Sequence, residues 1–312
     1  MAGGCDVHLV ADLAVGFDPD GADAWAYQDL LGHGCRVGAP PDTFNPLGQD
    51  WGLPPFVPWK LRHDRYQPFI DTIRASLAHC GGIRIDHVMG LFRLYWLPPG
   101  LGPADGAYVR YPYRDLLDLL TLEAHRAGAF VVGEDLGTVE DEVRDELAAR
   151  QILSYRVLWF EEGPPPTFPR QALAGVTTHD LPTMAGVWTG ADLTERRRVG
   201  HAGDDSDDSW FRSRIHLATG LGDDASTEEV VVATHEALAG APSLIVVATL
   251  DDAVGMVERP NLPGTIDEWP NWRIPLRRTL EEIETDPLVL AVARALDTGV
   301  RDRDAADLPS PS

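Results

Sequence analysis

Short apolar runs alternate along this chain with longer segments of helical period. Residues 7–11, 83–85, 129–132, 155–160, 176–178 and 244–249 each read as a buried strand. Between them, residues 66–80, 114–127, 139–150, 227–239 and 276–296 carry apolar side chains three and four apart, which predicts helices with one face against a sheet. Strands that alternate with helices predict a parallel sheet and an α/β fold. Gly128, placed just before Phe130, supplies a left-handed helix stop. Thr138 followed by Glu140, Asp141 and Glu142 predicts a helix start, because acidic groups in the first turn meet the positive end of the helix dipole.

Two stretches break the pattern. Residues 34–59 are rich in Pro, Gly and aromatics, and with Phe44, Trp51, Phe56 and Trp59 they read as a long ligand-facing loop. Residues 200–224, with Asp204, Asp205, Asp207 and Asp208, read as a solvated surface loop. The pattern predicts one domain over residues 1–300 and a disordered tail over 301–312.

Composition narrows the partners. Against 26 basic residues stand 49 acidic ones, a net charge of -23, which disfavours nucleic acid and acidic membrane surfaces. A neutral or cationic partner fits better. Cys5, Cys35 and Cys80 are odd in number and lack CxxC spacing, which argues against a disulfide framework or zinc cluster and fits a reducing cytoplasm. There is neither a leader-like start nor an apolar run of membrane-spanning length.

The chemistry lies at three strand ends, where parallel α/β barrels build their active sites. Ile83-Arg84-Ile85-Asp86-His87 ends one strand, Val131-Val132-Gly133-Glu134-Asp135 the next, and Thr177-Thr178-His179-Asp180 a third. One acid so placed is as readily a helix cap or an ion-pair partner. Three, separated by whole βα units, gather only if the sheet closes or nearly closes, and two of them then flank a scissile glycosidic bond. In the retaining mechanism such carboxyl groups stand about 5 to 5.5 Å apart. Side chains alternate along a strand, so Arg84 shares a face with Asp86 and holds it ionised, whereas Glu134 needs burial to stay protonated. Asp135, on the other face, reads as a structural cap. His87 and His179 suit hydrogen bonds to sugar hydroxyls. Acids and histidines at strand ends also build divalent-metal sites, but no HExxH-like run is present and the aromatic loop suits sugar stacking, so no metal is expected. The absence of GxGxxG and GxxxxGK[ST] runs predicts no nucleotide cofactor.

These segments resemble the 4-alpha-glucanotransferases, the amylomaltases or disproportionating enzymes of glycoside hydrolase family 77 in the α-amylase clan. GGIRIDHVMGLFRLYWLP (81–98) is similar to the family's nucleophile region, VVGEDLGTV (131–139) to its acid/base region and TTHDLPT (177–183) to that of its transition-state-stabilising aspartate. DLAVGFDPDGADAW (12–25), RVGAPPDTFNPLGQDWGLPPF (36–56), RYQPFI (65–70) and the NLPGT and EWPNWR runs within 261–273 resemble family segments too.

The resemblance implies Asp86 as nucleophile, Glu134 as acid/base and Asp180 as stabiliser. It implies that Arg84, His87 and His179 line the reacting sugar's subsite, with Asp12 near the nucleophile and Trp51 over the acceptor side. The implied reaction passes an α-1,4-glucan segment from a maltooligosaccharide donor to the 4-hydroxyl of glucose or a maltooligosaccharide, without a cofactor. The implied fold is a (β/α)₈ TIM-barrel-like catalytic domain. Family members carry a further N-terminal part with the first two barrel strands, so the chain reads as N-terminally truncated, either a fragment or a wall completed by a partner, with open strand edges. Two rivals share these residues: an α-amylase-type hydrolase and an inactive glucan-binding fragment.

Overall fold

In the computed structural model, which describes residues 9–41, 47–137, 139–200 and 206–306, parallel strands and helices alternate as the periodicity predicts. The chain divides into two units, Met1–Tyr155 and Arg156–Ser312.

In the first unit, β1 (Val10–Leu13), β4 (Gly82–Ile85), β7 (Phe130–Gly133) and the first residues of β8 (Leu153–Val157) run parallel in that order. Their register aligns Asp12 with Arg84 and Arg84 with Val132. Alternation then sorts the faces. Ile83, Ile85 and Val131 pack against the helices Gln67–Leu77, Tyr113–Ala127 and Asp141–Ala149 through Ile73, Leu117, Leu120 and Leu147, while Arg84 turns to the opposite face. Each fully buried leucine such as Leu117 or Leu120 contributes about 1.5–3 kcal/mol. Gly128 ends its helix in the left-handed conformation, its N–H reaching the Ala124 and His125 carbonyls. The helix after β7 starts at Asp141 with Glu140 as its cap; Thr138 lies outside the described residues.

Asp135 is the structural cap the alternation predicts. Buried, it accepts the Tyr155 N–H at 2.9 Å and the Ser154 hydroxyl at 2.5 Å, tying the end of β7 to β8. Asp135→Ala strands both donors and is expected to cost about 2 kcal/mol, read as a lower urea midpoint at unchanged slope.

The stretch 34–59 is not the continuous loop expected. It contains β2 (Arg36–Ala39) and β3 (Gln49–Leu53), and with β5 (Arg93–Leu97) and β6 (Ala107–Arg110) these form an antiparallel sheet in the order β3-β2-β5-β6. Strands of four or five residues punctuated by Gly and Pro carry too little alternation to announce themselves. At Gly38 a Cβ would lie 2.1 Å from the Gln49 carbonyl oxygen, so only glycine permits the irregular pairing there. Phe44 lies outside the described residues.

In the second unit, β9 (Ala172–Gly175) and β10 (Ile245–Val246) pair in parallel, with Leu173 beside Ile245. The strand expected at 176–178 therefore ends earlier. Thr177 donates its hydroxyl to the Pro182 carbonyl at 2.9 Å and turns the chain away from pairing. Likewise the expected 155–160 strand stops at Val157 and continues as a 3-10 turn, and 244–249 shortens to two residues. The 200–224 stretch holds a helix, Ser206–Thr219, while Asp204 and Asp205 lie outside the described residues. Helix Thr227–Ala239 opens with a Ser226–Glu229 capping box. The pattern at 276–296 splits into Leu280–Ile283 and Pro287–Ala306, so the chain is helical past the expected tail boundary at 301; residues 307–312 lie outside the described residues.

Candidate active site

Arg84 organises the first unit's site. It points from the middle of β4 to the face away from the helices, its side chain only 13% exposed. Nη1 donates to Asp12 Oδ1 at 2.6 Å across the strand pair, and Nη2 donates to Asp86 Oδ1 at 3.0 Å. Burial works against its charge, yet Asp12, Asp86 and Glu134 outweigh burial and raise the guanidinium pKa further. The cation also lies 5.4 Å from the Tyr155 ring centroid, and burial pushes the Tyr155 phenol up to about 12.

Glu134 is treated differently. It sits just past β7, where Gly133 allows Val88 to pass so closely that a Cβ there would meet its side chain at 3.0 Å. Oε2 accepts the His87 N–H at 2.9 Å and Oε1 the Leu136 N–H at 2.7 Å. Burial raises its pKa and the Asp86 charge raises it further, against the pull of those two amides and Arg84. One carboxylate is therefore tied to a guanidinium while the other is disposed to keep a proton, the division of labour an acid and a nucleophile require.

His87 makes the junction. Its backbone is left-handed, φ 45° and ψ 60°, a conformation that costs a non-glycine residue about 1–3 kcal/mol and is held at functional sites. This geometry aims its N–H at Glu134. Burial lowers its imidazole pKa, Asp86 opposing and Arg93 assisting, so the ring is neutral near pH 7. Trp51 meets it edge-on with centroids 5.4 Å apart, and Trp51 Nε1 donates to Gln49 Oε1 at 3.0 Å. A cavity of about 210 Å³, walled by Leu13, Val15, Phe17, Phe56 and Leu94, reaches Asp86 and His87.

The second unit carries the other expected residues. Asp180 lies in the turn beyond β9, where Asn261 Nδ2 donates to its Oδ1 at 2.6 Å and His179 Nε2 stands 3.4 Å from its Oδ2. The His179 carbonyl accepts the Asn261 N–H at 3.2 Å, and the His179 ring lies 5.2 Å from that of Trp272. Arg259 donates to the Asp180 carbonyl at 3.4 Å and grips buried Asp192 with two bonds of 2.7 Å, Asp192 also accepting from Arg196 at 2.9 Å. Thus Asp12, Trp51, Arg84, Asp86, His87 and Glu134 form one constellation in the first unit, and His179 and Asp180 form another in the second.

Sequence reasoning missed Asn261, Tyr155 and the Arg259–Asp192 pair. Asn261 lies in the NLPGT segment, whose only signal was similarity; Asp192 and Arg259 are 67 positions apart and give no local pattern. No cluster of three or more His, Cys, Asp or Glu is arranged to hold a metal among the described residues.

The sequence model of a family described as 4-alpha-glucanotransferase matches residues 1–280. The 4-alpha-glucanotransferase of Mycobacterium tuberculosis is 43% identical, the match taking in 95% of this chain and 45% of the relative. That of Haemophilus influenzae is 36% identical over 86% of this chain and 42% of its own length. The chain thus spans somewhat under half the length of these relatives. Among solved structures, amylomaltase from Corynebacterium glutamicum matches with a TM-score of 0.88 at 38% identity, over 94% of this chain and 46% of that one. Amylomaltase from Streptococcus agalactiae in complex with acarbose, at 17% identity and a TM-score of 0.74, shares the fold.

Proposed function

The chain belongs to the 4-alpha-glucanotransferase family, and from that premise we propose that it acts in the transfer of α-1,4-glucan segments by a retaining double displacement. The observation that carries the reading is the unequal pair at neighbouring strand ends: Asp86 bound to Arg84, and Glu134 half-buried with its pKa raised chiefly by desolvation.

In the first step an Asp86 carboxylate oxygen attacks the anomeric carbon of the donor. The glycosidic bond breaks, Glu134 delivers its proton to the departing 4-oxygen, and a glycosyl ester of Asp86 forms. In the second step Glu134, now a carboxylate, takes the proton from an acceptor's 4-hydroxyl. That oxygen attacks the anomeric carbon and releases Asp86, so the configuration is retained. Asp180, held by Asn261, grips hydroxyls of the reacting sugar in the transition state, and His179 beside it offers its ring to a sugar hydroxyl. In the first unit Arg84 and His87 bind the reacting sugar beside Asp86, with Asp12 keeping Arg84 in place. Trp51 offers an apolar face to the acceptor. Donors are maltooligosaccharides, acceptors glucose or maltooligosaccharides, and the acarbose bound by the Streptococcus agalactiae amylomaltase is a reasonable probe of the site. No helix is long and apolar enough to cross a membrane among the described residues; with its free cysteines Cys35 and Cys80 the chain suits the cytoplasm.

Incubation with maltotriose tests the proposal. Glucose together with maltooligosaccharides longer than the substrate is the expected product pattern; glucose and maltose alone would mean hydrolysis, and no turnover would reduce the chain to a glucan-binding piece.

Glu134 also sets a pH dependence. The folded state holds its proton more tightly than the unfolded chain, so its contribution to stability is complete below the unfolded value and lost as pH rises through the folded one. Activity has the same sign, since the acid form is depleted on the alkaline side. The alkaline limb of kcat/KM is expected to titrate above the ordinary carboxylate value of 4.5 and to vanish in Glu134→Gln, measured across a pH series.

A further inference from the structure

One buried carboxyl in the second unit has no part in the chemistry above. Asp252 is 0% exposed. Its Oδ1 accepts the Met184 N–H at 2.7 Å, and its Oδ2 accepts the Thr249 hydroxyl at 3.1 Å, whose oxygen in turn accepts the Asp252 N–H at 3.2 Å. Met184 opens a short helix directly after the turn that carries Asp180.

The other anchors of that turn lie upstream of this one. Arg259 holds the Asp180 carbonyl, Asn261 holds its carboxylate, and Thr177 and Trp159 both donate to the Pro182 carbonyl, at 2.9 and 3.2 Å. Thr183 Oγ1 accepts the Gly186 N–H at 3.0 Å. Asp252 therefore secures the exit of the turn, joining it to the segment Leu250–Ala253, as the upstream bonds secure its entry. A group placed only to stabilise an interior would avoid the desolvation a buried carboxyl suffers. Its use here is its pair of acceptors, which bind an amide and a hydroxyl at once.

We propose that Asp252 is a positioning residue for glucan transfer, holding the Met184 amide so that the preceding turn presents Asp180 in one fixed orientation. This rests on the reading of Asp180 as the transition-state-stabilising carboxylate. Burial pushes the Asp252 carboxyl up to about 7, with the Met184 amide and Thr249 hydroxyl lowering it and neighbouring Asp251 raising it. Oδ1 accepts the Met184 N–H whether or not the other oxygen carries a proton. The anchoring is then a matter of geometry rather than charge, and an amide of the same shape replaces it: in Asp252→Asn the side-chain oxygen keeps Met184 and the amino group donates to Thr249 Oγ1.

Amide hydrogen exchange and steady-state kinetics on the whole chain test this together. In Asp252→Ala, exchange at Met184 and through residues 178–186 is expected to speed up by about tenfold or more while helix Thr227–Ala239 keeps its protection. Turnover of maltotriose is expected to fall about 10- to 100-fold in kcat with KM little changed, since a small misplacement of a group acting in the transition state has that effect. Asp252→Asn is expected to behave as the parent in both measurements. Unchanged exchange over 178–186 in Asp252→Ala, equal loss of protection in helix Thr227–Ala239, or an Asn variant as impaired as the Ala variant would each overturn the proposal. A parent chain without glucan turnover would defeat the functional reading instead, and the exchange comparison would still decide whether Asp252 holds the turn.

Discussion

Asp86→Asn is expected to lower maltotriose turnover by about 10⁴-fold or more, the scale on which enzymes lose a covalent nucleophile, while the melting temperature barely moves. Activity falls so far because the amide cannot form the glycosyl ester, and no neighbouring carboxylate replaces it: Asp12 is engaged by Arg84 and Glu134 is held by two amides. Stability is spared because Asp86 is 36% exposed and its ion pair with Arg84 is worth at most about 1 kcal/mol. Arg84 also keeps its shorter bond to Asp12. An activated donor such as an α-maltosyl fluoride separates the two carboxylates. Its leaving group needs no proton, so Glu134→Gln should still form the glycosyl-enzyme and release fluoride, whereas Asp86→Asn should not. Fluoride release from Asp86→Asn at the rate of the parent would show that the nucleophile lies elsewhere.

The largest expected loss of stability is at Arg259. Asp192 is almost fully buried, and Arg259 supplies two of the three charge-assisted bonds recorded to it, the third coming from Arg196. Arg259→Ala leaves that carboxylate buried with half its cationic support and is expected to cost about 3–5 kcal/mol, measured by urea unfolding. Arg259→Lys should recover only part, because an ammonium cannot reproduce the two-pronged grip. A loss below about 1 kcal/mol in Arg259→Ala would mean that the Asp192 carboxylate reaches solvent once the arginine is gone.

The parallel strands, and which side chains share a face at their ends, were more legible in the sequence than the antiparallel sheet beside them. Strand alternation was enough to put Arg84 beside Asp86 and to send Asp135 to the opposite face, because a period of two is a local rule. Desolvation of Glu134 was expected only because a general acid needs it to keep a proton, and the structure does place that carboxyl where burial raises its pKa. What stayed hidden depended on distant partners. The β3-β2-β5-β6 sheet is assembled from short strands whose paired residues lie up to 61 positions apart, as Arg36 and Leu97 do, so no short window of sequence contains both partners. Arg259 and Asp192 find each other only after folding, as do Asp252 and Met184. The missed end of the strand before His179 has a similar origin: Thr177 has strand propensity, but its hydroxyl bonds to Pro182 and the turn prevails.

The hydrogen bonds to Glu134 come from main-chain amides, those of residues 87 and 136, rather than from side chains. Amide donors are supplied by nineteen of the twenty genetically coded residues, so the aim of this carboxyl is insulated from drift in neighbouring side-chain identity. Side chains at positions 87 and 136 can therefore be varied while the Glu134 carboxyl keeps its orientation, provided proline is left out and residue 87 tolerates a left-handed backbone, as asparagine and glycine do.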